Sequence, residues 1–222
     1  MSSAAAAKPI LYSYFRSSCS WRVRIALALK GIAYEYRAIS LIKDGGEQFK
    51  DEFRSVNPQR EVPVLEIDGH QLAQSLAIIE YLEETRPDGA SLLPKDAHQR
   101  ALVRQVSDAI AQGIQPIQNL RVLNHVGDEK KVEWARHWIN HGLAGLEALL
   151  AKTHGKYSVG DTVTMADCTL VPQLYNARRF KVDLSQFPIA LAIENELIKL
   201  DAFKAAHPSA QPDCPESERG TQ

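Results

Sequence analysis

The sequence of 222 residues predicts an α/β domain over residues 1–90, followed by an all-α domain over residues 91–222. Two observations support this fold class. Short β-favouring runs alternate with helical patterns up to residue 85, whereas strand signals almost vanish after it. Between the two regions, residues 86–94 contain Pro87, Gly89 and Pro94, which is the composition of a linker.

The first domain begins with a strand, a helix and a second strand. Residues 9–14 form a β-favouring run, and a polar loop over residues 16–20 follows it. Residues 21–30 are rich in helix formers and stop at Gly31, as a helix C-terminus often does. Residues 33–38 predict the second strand, which completes the order of a β-α-β unit.

The remainder of the first domain contributes a hairpin and a closing helix. Asp68-Gly69 is a strong signal for a two-residue hairpin turn between two β-favouring runs. The predicted elements are an amphipathic piece within residues 43–57, a strand at 62–67, a return strand at 70–73 and a helix at 76–85. Together with the β-α-β unit, they predict a small mixed sheet.

The second domain is read from helical periodicity. Residues 97–125 follow one long helical pattern, which Gly113 and Pro116 should interrupt. Residues 132–150 place apolar side chains at steps of three and four, which predicts a second long amphipathic helix. The tail from His207 is polar and contains three prolines, so we expect it to be poorly ordered.

Composition and charge exclude several classes of protein. A formal net charge of −1 gives no basic excess for nucleic acid, and the apolar runs are far shorter than the ~20 residues that span a bilayer. Three cysteines are too few for a disulfide framework, and the first residues lack the apolar stretch of a secretory leader. His137 and His141 have the spacing of metal ligands but no evident third ligand, so we expect no metal site. These features predict a cytoplasmic protein.

Three segments place polar groups where helices or strands begin. Ser17-Ser18-Cys19-Ser20, between Arg16 and Arg22, stands at a helix start, where free N–H groups favour anions and lower the pKa of a thiol. The alternative there is serine capping beside an ordinary buried cysteine. Val62-Pro63 is either trans or a cis bond that exposes the Val62 backbone to an extended peptide. Gln74-Ser75 is either a helix cap or a pair that binds a ligand carboxylate.

These segments occur in an order and spacing that resembles the glutathione transferases. The string Ser17-Ser18-Cys19-Ser20-Trp21-Arg22, with residues 74–84, 113–120 and 163–167, is similar to the zeta class of that family. The resemblance extends over residues 8–212, nearly the whole chain. It implies the glutathione transferase fold, in which a thioredoxin-like N-terminal domain binds glutathione and an all-α C-terminal domain contributes the substrate site.

The resemblance also implies roles for individual residues. Ser17, Ser18 and Cys19 would be the catalytic residues beside the glutathione sulfur, with the Ser17 hydroxyl donating to the thiolate. Arg179 resembles an arginine that binds a substrate carboxylate, although Arg178 stands before it where some relatives carry an acid. The implied glutathione-binding set is Ser17, Ser18, Cys19, Ser20, Trp21, Arg22, Gln48, Val62, Gln74, Ser75, Gln115, Asn119, Leu120 and Arg121.

Within that set, the resemblance assigns parts of the glutathione molecule to particular residues. Gln48 would reach the glycyl end, Val62 would pair with the cysteinyl backbone, and Gln74 and Ser75 would hold the γ-glutamyl group. Gln115 and Asn119, from the interrupted helix of the second domain, would complete the pocket.

The implied activity is the glutathione-dependent cis–trans isomerisation of maleylacetoacetate to fumarylacetoacetate in tyrosine and phenylalanine catabolism, by reversible addition of a thiolate. The partner is therefore a small carboxylate substrate, and the resemblance implies a homodimer. Two alternatives remain open. One is a general glutathione transferase or peroxidase, or a dehalogenase of small α-halo acids; the other is a glutathione-fold module without catalysis.

Overall fold

The structure is a computed structural model that describes residues 7–220. Residues 1–6, on which the expectation about a leader falls, lie outside the described residues. The chain divides into two compact units. The first unit comprises the residues up to Ala90 and those from Ala202 onward, and the second unit is Ser91–Asp201. The sequence predicts a second domain over residues 91–222, whereas the segment from Ala202 onward groups with the first unit in the structure.

Four strands form one mixed sheet in the first unit, as the sequence predicts. They are β1 (Ile10–Ser13), β2 (Glu35–Ala38), β3 (Val64–Ile67) and β4 (His70–Ala73), in the sheet order β2-β1-β3-β4. Strand β1 runs parallel to β2 and antiparallel to β3, which is antiparallel to β4. Asp68 and Gly69 have φ angles of 53° and 79°, as a type I′ hairpin turn requires, so the predicted hairpin is confirmed.

Three helices belong to the N-terminal part of the first unit: α1 (Ser18–Leu29), α2 (Asp51–Val56) and α3 (Ser75–Thr85). Helix α1 begins three residues before the predicted start at Trp21, because the Ser17 side chain caps it. It ends before Gly31, whose φ of 66° is most easily adopted by a residue without a Cβ atom. Helix α1 thus places Ser17, Ser18 and Cys19 at its first turn, directly after β1.

The second unit is helical, as predicted. Its helices are α4 (Ala97–Asp108), α5 (Leu120–Val126), α6 (Lys131–Thr153), α7 (Met165–Arg179) and α8 (Pro188–Leu197). Between α4 and α5, the chain widens to a π-helix over Ala109–Ile114 and then tightens to a 3₁₀-helix over Gln115–Gln118. The interruption that Gly113 and Pro116 predict is therefore confirmed. No helix of the described residues is long and apolar enough to cross a membrane.

The expectation that the tail is poorly ordered is wrong. Helix α9 (Asp201–Ala206) leads into the tail, which forms short 3₁₀-turns and packs on the first unit. Cys214 is 3% exposed and joins a hydrophobic cluster with Tyr14, Phe15 and Val62. A polar and proline-rich sequence becomes ordered here because its Asp213 side chain accepts from the Phe15 N–H and the Tyr36 hydroxyl, and because its Cys214 is buried.

Candidate functional site

The site predicted at the start of α1 is built around the Ser17 hydroxyl. Ser17 Oγ accepts a hydrogen bond from the Ser20 N–H at 3.2 Å, and as an acceptor it keeps its own proton for a second partner. The N–H groups of Ser18 and Cys19 lie in the first turn of α1, where the helix offers no carbonyl four residues earlier to accept from them. These amides and the helix dipole favour a negative charge beside Ser17. Capping and anion binding are therefore compatible roles of one residue.

The three cysteines differ in their accessibility. Cys19 is half-buried on the first turn of α1, whereas Cys168 and Cys214 are buried. Burial raises the pKa of both buried thiols, which keeps them protonated and unreactive. Cys19 is thus the cysteine positioned for thiol chemistry.

Ser20 and Trp21 use their backbone groups within the loop itself. The Ser20 N–H bonds to Ser17 Oγ, and the Trp21 N–H donates to the Ser17 carbonyl at 2.9 Å. The side chains of both are buried, and the Trp21 ring meets that of His207 edge-on, with centroids 5.1 Å apart. This placement favours a supporting role for these two residues, and their binding role stays a prediction.

Arg22 links the starts of α1 and α3. Its guanidinium is buried, and Nη1 donates to Ser75 Oγ at 3.2 Å. Nε and Nη2 have no hydrogen-bond partner among the described residues. A buried guanidinium with unsatisfied donors costs free energy unless an acceptor reaches it. Arg22 and Ser75 therefore form a polar pair with capacity for an anionic group.

Backbone strain marks the start of α3. Gln74 has a φ of 71°, in the left-handed region that residues with a Cβ atom rarely adopt. Such strain persists where the surrounding structure enforces it, often at ligand-binding positions. The Gln74 amide donates to Gln59 Oε1 at 2.9 Å, while Ser75 opens the helix with N–H groups that lack an intrahelical acceptor.

Two further predicted ligands lie elsewhere in the first unit. The Val62-Pro63 peptide bond is cis, and Val62 stands outside the pairing registers of β3. Gln48 is buried, and its Nε2 lies 3.5 Å from the Leu41 carbonyl. Gln48 Oε1 has no partner within the part of the chain that the structure describes. Both residues keep polar groups that an extended peptide ligand can use.

The predicted residues of the second unit cluster where α5 begins. Gln115 is half-buried on the 3₁₀-helix, and Asn119 caps α5 by accepting from the Arg121 N–H at 3.2 Å. Leu120 and Arg121 are exposed. The sequence analysis did not identify Gln173, which accepts a hydrogen bond from Gln118 Nε2 at 2.8 Å; nothing in the local pattern distinguishes it from other buried residues of α7.

The two arginines at the end of α7 have different surroundings. Arg178 forms a bidentate ion pair with Glu194, which is 4% exposed, and this pairing raises the pKa of Arg178. Arg179 is exposed, and its guanidinium lies 5.6 Å from the centre of the Phe180 ring. Arg178 is therefore engaged by Glu194 although it is exposed, and Arg179 stands beside it as a second exposed arginine.

The histidine pair of α6 has aromatic neighbours. The rings of His137 and His141 both meet the Trp138 ring edge-on, with centroids 5.0 and 5.9 Å away. The described residues contain no group of three or more His, Cys, Asp or Glu side chains that could hold a metal ion.

Comparisons with known proteins point to one family. The family model for the N-terminal domain of glutathione S-transferase matches residues 11–90. A maleylacetoacetate isomerase from Mus musculus is 60% identical over 95% of this chain and 97% of its own length. A probable maleylacetoacetate isomerase 2 from Drosophila melanogaster is 61% identical over 94% of this chain and 91% of its own length.

Solved structures give the same result. The crystal structure of a maleylacetoacetate isomerase from Anaeromyxobacter dehalogenans 2CP-1, with glutathione bound in its active site, has a TM-score of 0.85 and 48% identity, and covers 94% of this chain and 98% of that one. A bacterial maleyl pyruvate isomerase of the zeta class has a TM-score of 0.88 and 46% identity, covering 93% of this chain and all of that one (100%).

Proposed function

Because the chain belongs to the zeta class of the glutathione S-transferase family, we propose that it catalyses the glutathione-dependent cis–trans isomerisation of maleylacetoacetate to fumarylacetoacetate, in tyrosine and phenylalanine catabolism. The mouse relative that carries this activity in its name is 60% identical over 95% of the chain. The structural observation that carries the proposal is the start of α1, where Ser17 Oγ caps the helix and the amides of Ser18 and Cys19 have no intrahelical acceptor.

The residues of the first unit fit glutathione. When bound, glutathione supplies a thiolate, which can add reversibly to a double bond conjugated with a carbonyl and so permit rotation about it. The Ser17 hydroxyl would donate a hydrogen bond to the sulfur, and the amides of Ser18 and Cys19 would add positive potential there. The unsatisfied guanidinium nitrogens of Arg22 and the hydroxyl of Ser75 suit the γ-glutamyl carboxylate.

Other groups of the first unit suit the remainder of the tripeptide. The unpaired Gln48 Oε1 would accept from the glycyl N–H, and the Val62 backbone would pair with the cysteinyl peptide group. Gln74 would contribute to the γ-glutamyl end from its strained position. In this proposal Cys19 would shape the sulfur site without being required as a nucleophile, because the glutathione thiolate adds to the substrate and the Ser17 hydroxyl and the helix amides would stabilise that anion.

The second unit would supply the recognition of the substrate. The substrate carries carboxylates, and an arginine fork binds a carboxylate with two parallel hydrogen bonds. Arg179 is exposed at the end of α7 and is the arginine that the class resemblance assigns to the carboxylate, whereas its neighbour Arg178 is held by Glu194. Gln115 and Asn119, at the start of α5, belong to the same proposal.

Assembly as a homodimer and a location in the cytoplasm are further parts of this proposal, and both rest on membership in the class. Sedimentation equilibrium of the purified protein tests the first, because a dimer has twice the mass of the 24.7 kDa chain. Cell fractionation with antibody detection tests the second.

The decisive experiment is an absorbance assay with maleylacetone as substrate analogue and glutathione held well below the substrate concentration. The isomerase proposal expects many product molecules for each glutathione and no loss of free thiol. Loss of one thiol for each substrate converted would instead indicate a general glutathione transferase, and halide release from a small α-halo acid alone would indicate a dehalogenase. Lack of any turnover with all of these substrates would favour a non-catalytic module.

A further inference from the structure

The tail of the chain is bonded to the loop that precedes Ser17. Asp213 lies in this tail, and its two carboxylate oxygens accept from different elements. Oδ2 accepts from the Phe15 N–H at 2.9 Å, and Oδ1 accepts from the Tyr36 hydroxyl of β2 at 2.6 Å. Phe15 is two residues before Ser17, so this bond ends close to the sulfur site. The tail thus supplies the hydrogen-bond acceptor for the Phe15 N–H.

The carbonyl groups of the same loop accept hydrogen bonds from a buried arginine. Arg24 of α1 is buried, and it donates to the carbonyls of Tyr14 and Phe15 at 3.3 and 2.9 Å. Its Nε donates to the Ala206 carbonyl at 3.1 Å, where the tail begins. The backbone of Phe15 is therefore held at its N–H by Asp213 and at its C=O by Arg24.

Packing strengthens this attachment. Cys214 follows Asp213 directly and is buried in the cluster that contains Tyr14 and Phe15. Arg16, the next loop residue, reaches Glu218 of the tail at 3.5 Å. The contacts thus continue along the loop up to the residue before Ser17.

We propose that Asp213 is a positioning residue, which holds the Tyr14–Arg16 loop so that Ser17 presents its hydroxyl to the glutathione sulfur. The part of this inference that concerns catalysis rests on the proposed function. An aspartate suits the role because two oxygens can accept simultaneously along two directions. Asparagine keeps one acceptor for the Phe15 N–H and can donate to the Tyr36 oxygen, whereas alanine replaces neither bond.

The test compares Asp213→Ala with Asp213→Asn, and with Glu216→Gln as a matched control that alters an exposed carboxylate of the same tail. The first readout is the rate at which iodoacetamide alkylates Cys19 in the full-length enzyme without glutathione, followed by peptide mass spectrometry so that Cys214 is counted separately. We expect Asp213→Ala to accelerate Cys19 alkylation by about threefold to tenfold, the effect of losing a hydrogen bond, with the other two variants within about twofold of wild type.

The second readout is the pH dependence of kcat. We expect Asp213→Ala to lower kcat more than it raises KM for glutathione and to move the pH midpoint upward, because the Ser17 hydroxyl no longer stabilises the thiolate as well. A purely structural role would lower the melting temperature and leave the pH midpoint and the Cys19 rate unchanged, which would overturn the proposal. If Asp213→Ala does not fold, Asp213→Ser, too short to reach both partners, takes its place in both measurements.

Failure of the two proposals can be told apart. If the wild-type protein does not isomerise maleylacetone but Cys19 is alkylated faster in Asp213→Ala, the proposed function is refuted and the positioning role is supported. Normal isomerase activity together with wild-type Cys19 reactivity and pH profile in Asp213→Ala refutes the positioning role alone.

Discussion

Replacing Ser17 with alanine removes two interactions at once. The first is the helix cap, in which Oγ accepts from the Ser20 N–H at 3.2 Å. Loss of such a cap lowers the free energy of unfolding by about 0.5–2 kcal/mol. The second is the hydrogen bond from the hydroxyl proton to the thiolate, which stabilises the ionised sulfur.

The size of the catalytic effect follows from the charge of the acceptor. A hydrogen bond to a charged group contributes about 1.5–3 kcal/mol, which corresponds to a loss of about 10- to 150-fold in kcat at neutral pH. The same free energy raises the pKa of the bound thiol by about one to two units. We therefore expect Ser17→Ala to recover part of its activity as the pH is raised.

The assay is glutathione-dependent conversion of maleylacetone across a pH series, with thiolate absorbance of the bound glutathione near 240 nm as a second observable. Asp96→Ala is the matched control, because Asp96 caps α4 through a 2.8 Å bond from the Gln99 N–H. It should cost similar stability and leave kcat unchanged. Full isomerase activity in Ser17→Ala, with an unchanged pH profile, would refute the role given to this hydroxyl.

Four further outcomes are expected. Ser75→Ala should raise KM for glutathione about threefold to tenfold with kcat nearly unchanged, because it removes a binding contact common to the ground and transition states. Cys19→Ala should retain part of the isomerase activity, and complete loss would indicate direct covalent chemistry by Cys19. Arg179→Ala should lower kcat/KM for the carboxylate substrate with little change in melting temperature, whereas Arg178→Ala should lower stability by about 1–3 kcal/mol, because it leaves its buried glutamate partner unsatisfied. Burial holds the pKa of His207 below its usual value, so the unfolded chain takes up this proton more readily. Stability should therefore fall as the pH drops from about 6.5 through the lowered pKa, and His207→Asn should weaken that dependence in melting curves.

The parts of the fold that the sequence predicts are those decided by neighbouring residues. Asp68-Gly69 specifies its hairpin because positive φ angles at both positions are a local requirement. Gly113 and Pro116 interrupt their helix through backbone chemistry that acts within one turn. The serine cap of α1 belongs to the same group, since Ser17 bonds to a residue three positions away, although the helix begins three residues before its predicted start.

The parts that sequence reasoning missed depend on distant partners. Asp213 looks like one acid in a polar tail, and only the folded chain brings it to Phe15, 198 positions earlier. The sequence gives a weak signal that Arg24 is buried, because this cation stands between Val23 and Ile25 in an apolar run. It does not indicate which groups accept hydrogen bonds from Arg24. Burial lowers the pKa of Arg24 to about 10, because enclosing a cation costs free energy. Four oxygen atoms that accept hydrogen bonds from its guanidinium offset part of that cost.

The return of the tail to the first unit has a consequence for the synthesis of the protein. Phe15 leaves the ribosome 198 residues before its partner Asp213. At typical elongation rates of about 5–20 residues per second, this interval lasts about 10–40 s. During that time the Phe15 N–H of the nascent chain lacks its acceptor Asp213, and the apolar cluster that contains Tyr14 and Phe15 lacks Cys214. The glutathione-binding half, although translated first, is therefore completed only after Asp213 has been synthesised, and a chain released before that residue would contain every predicted ligand of that half but lack this closing contact.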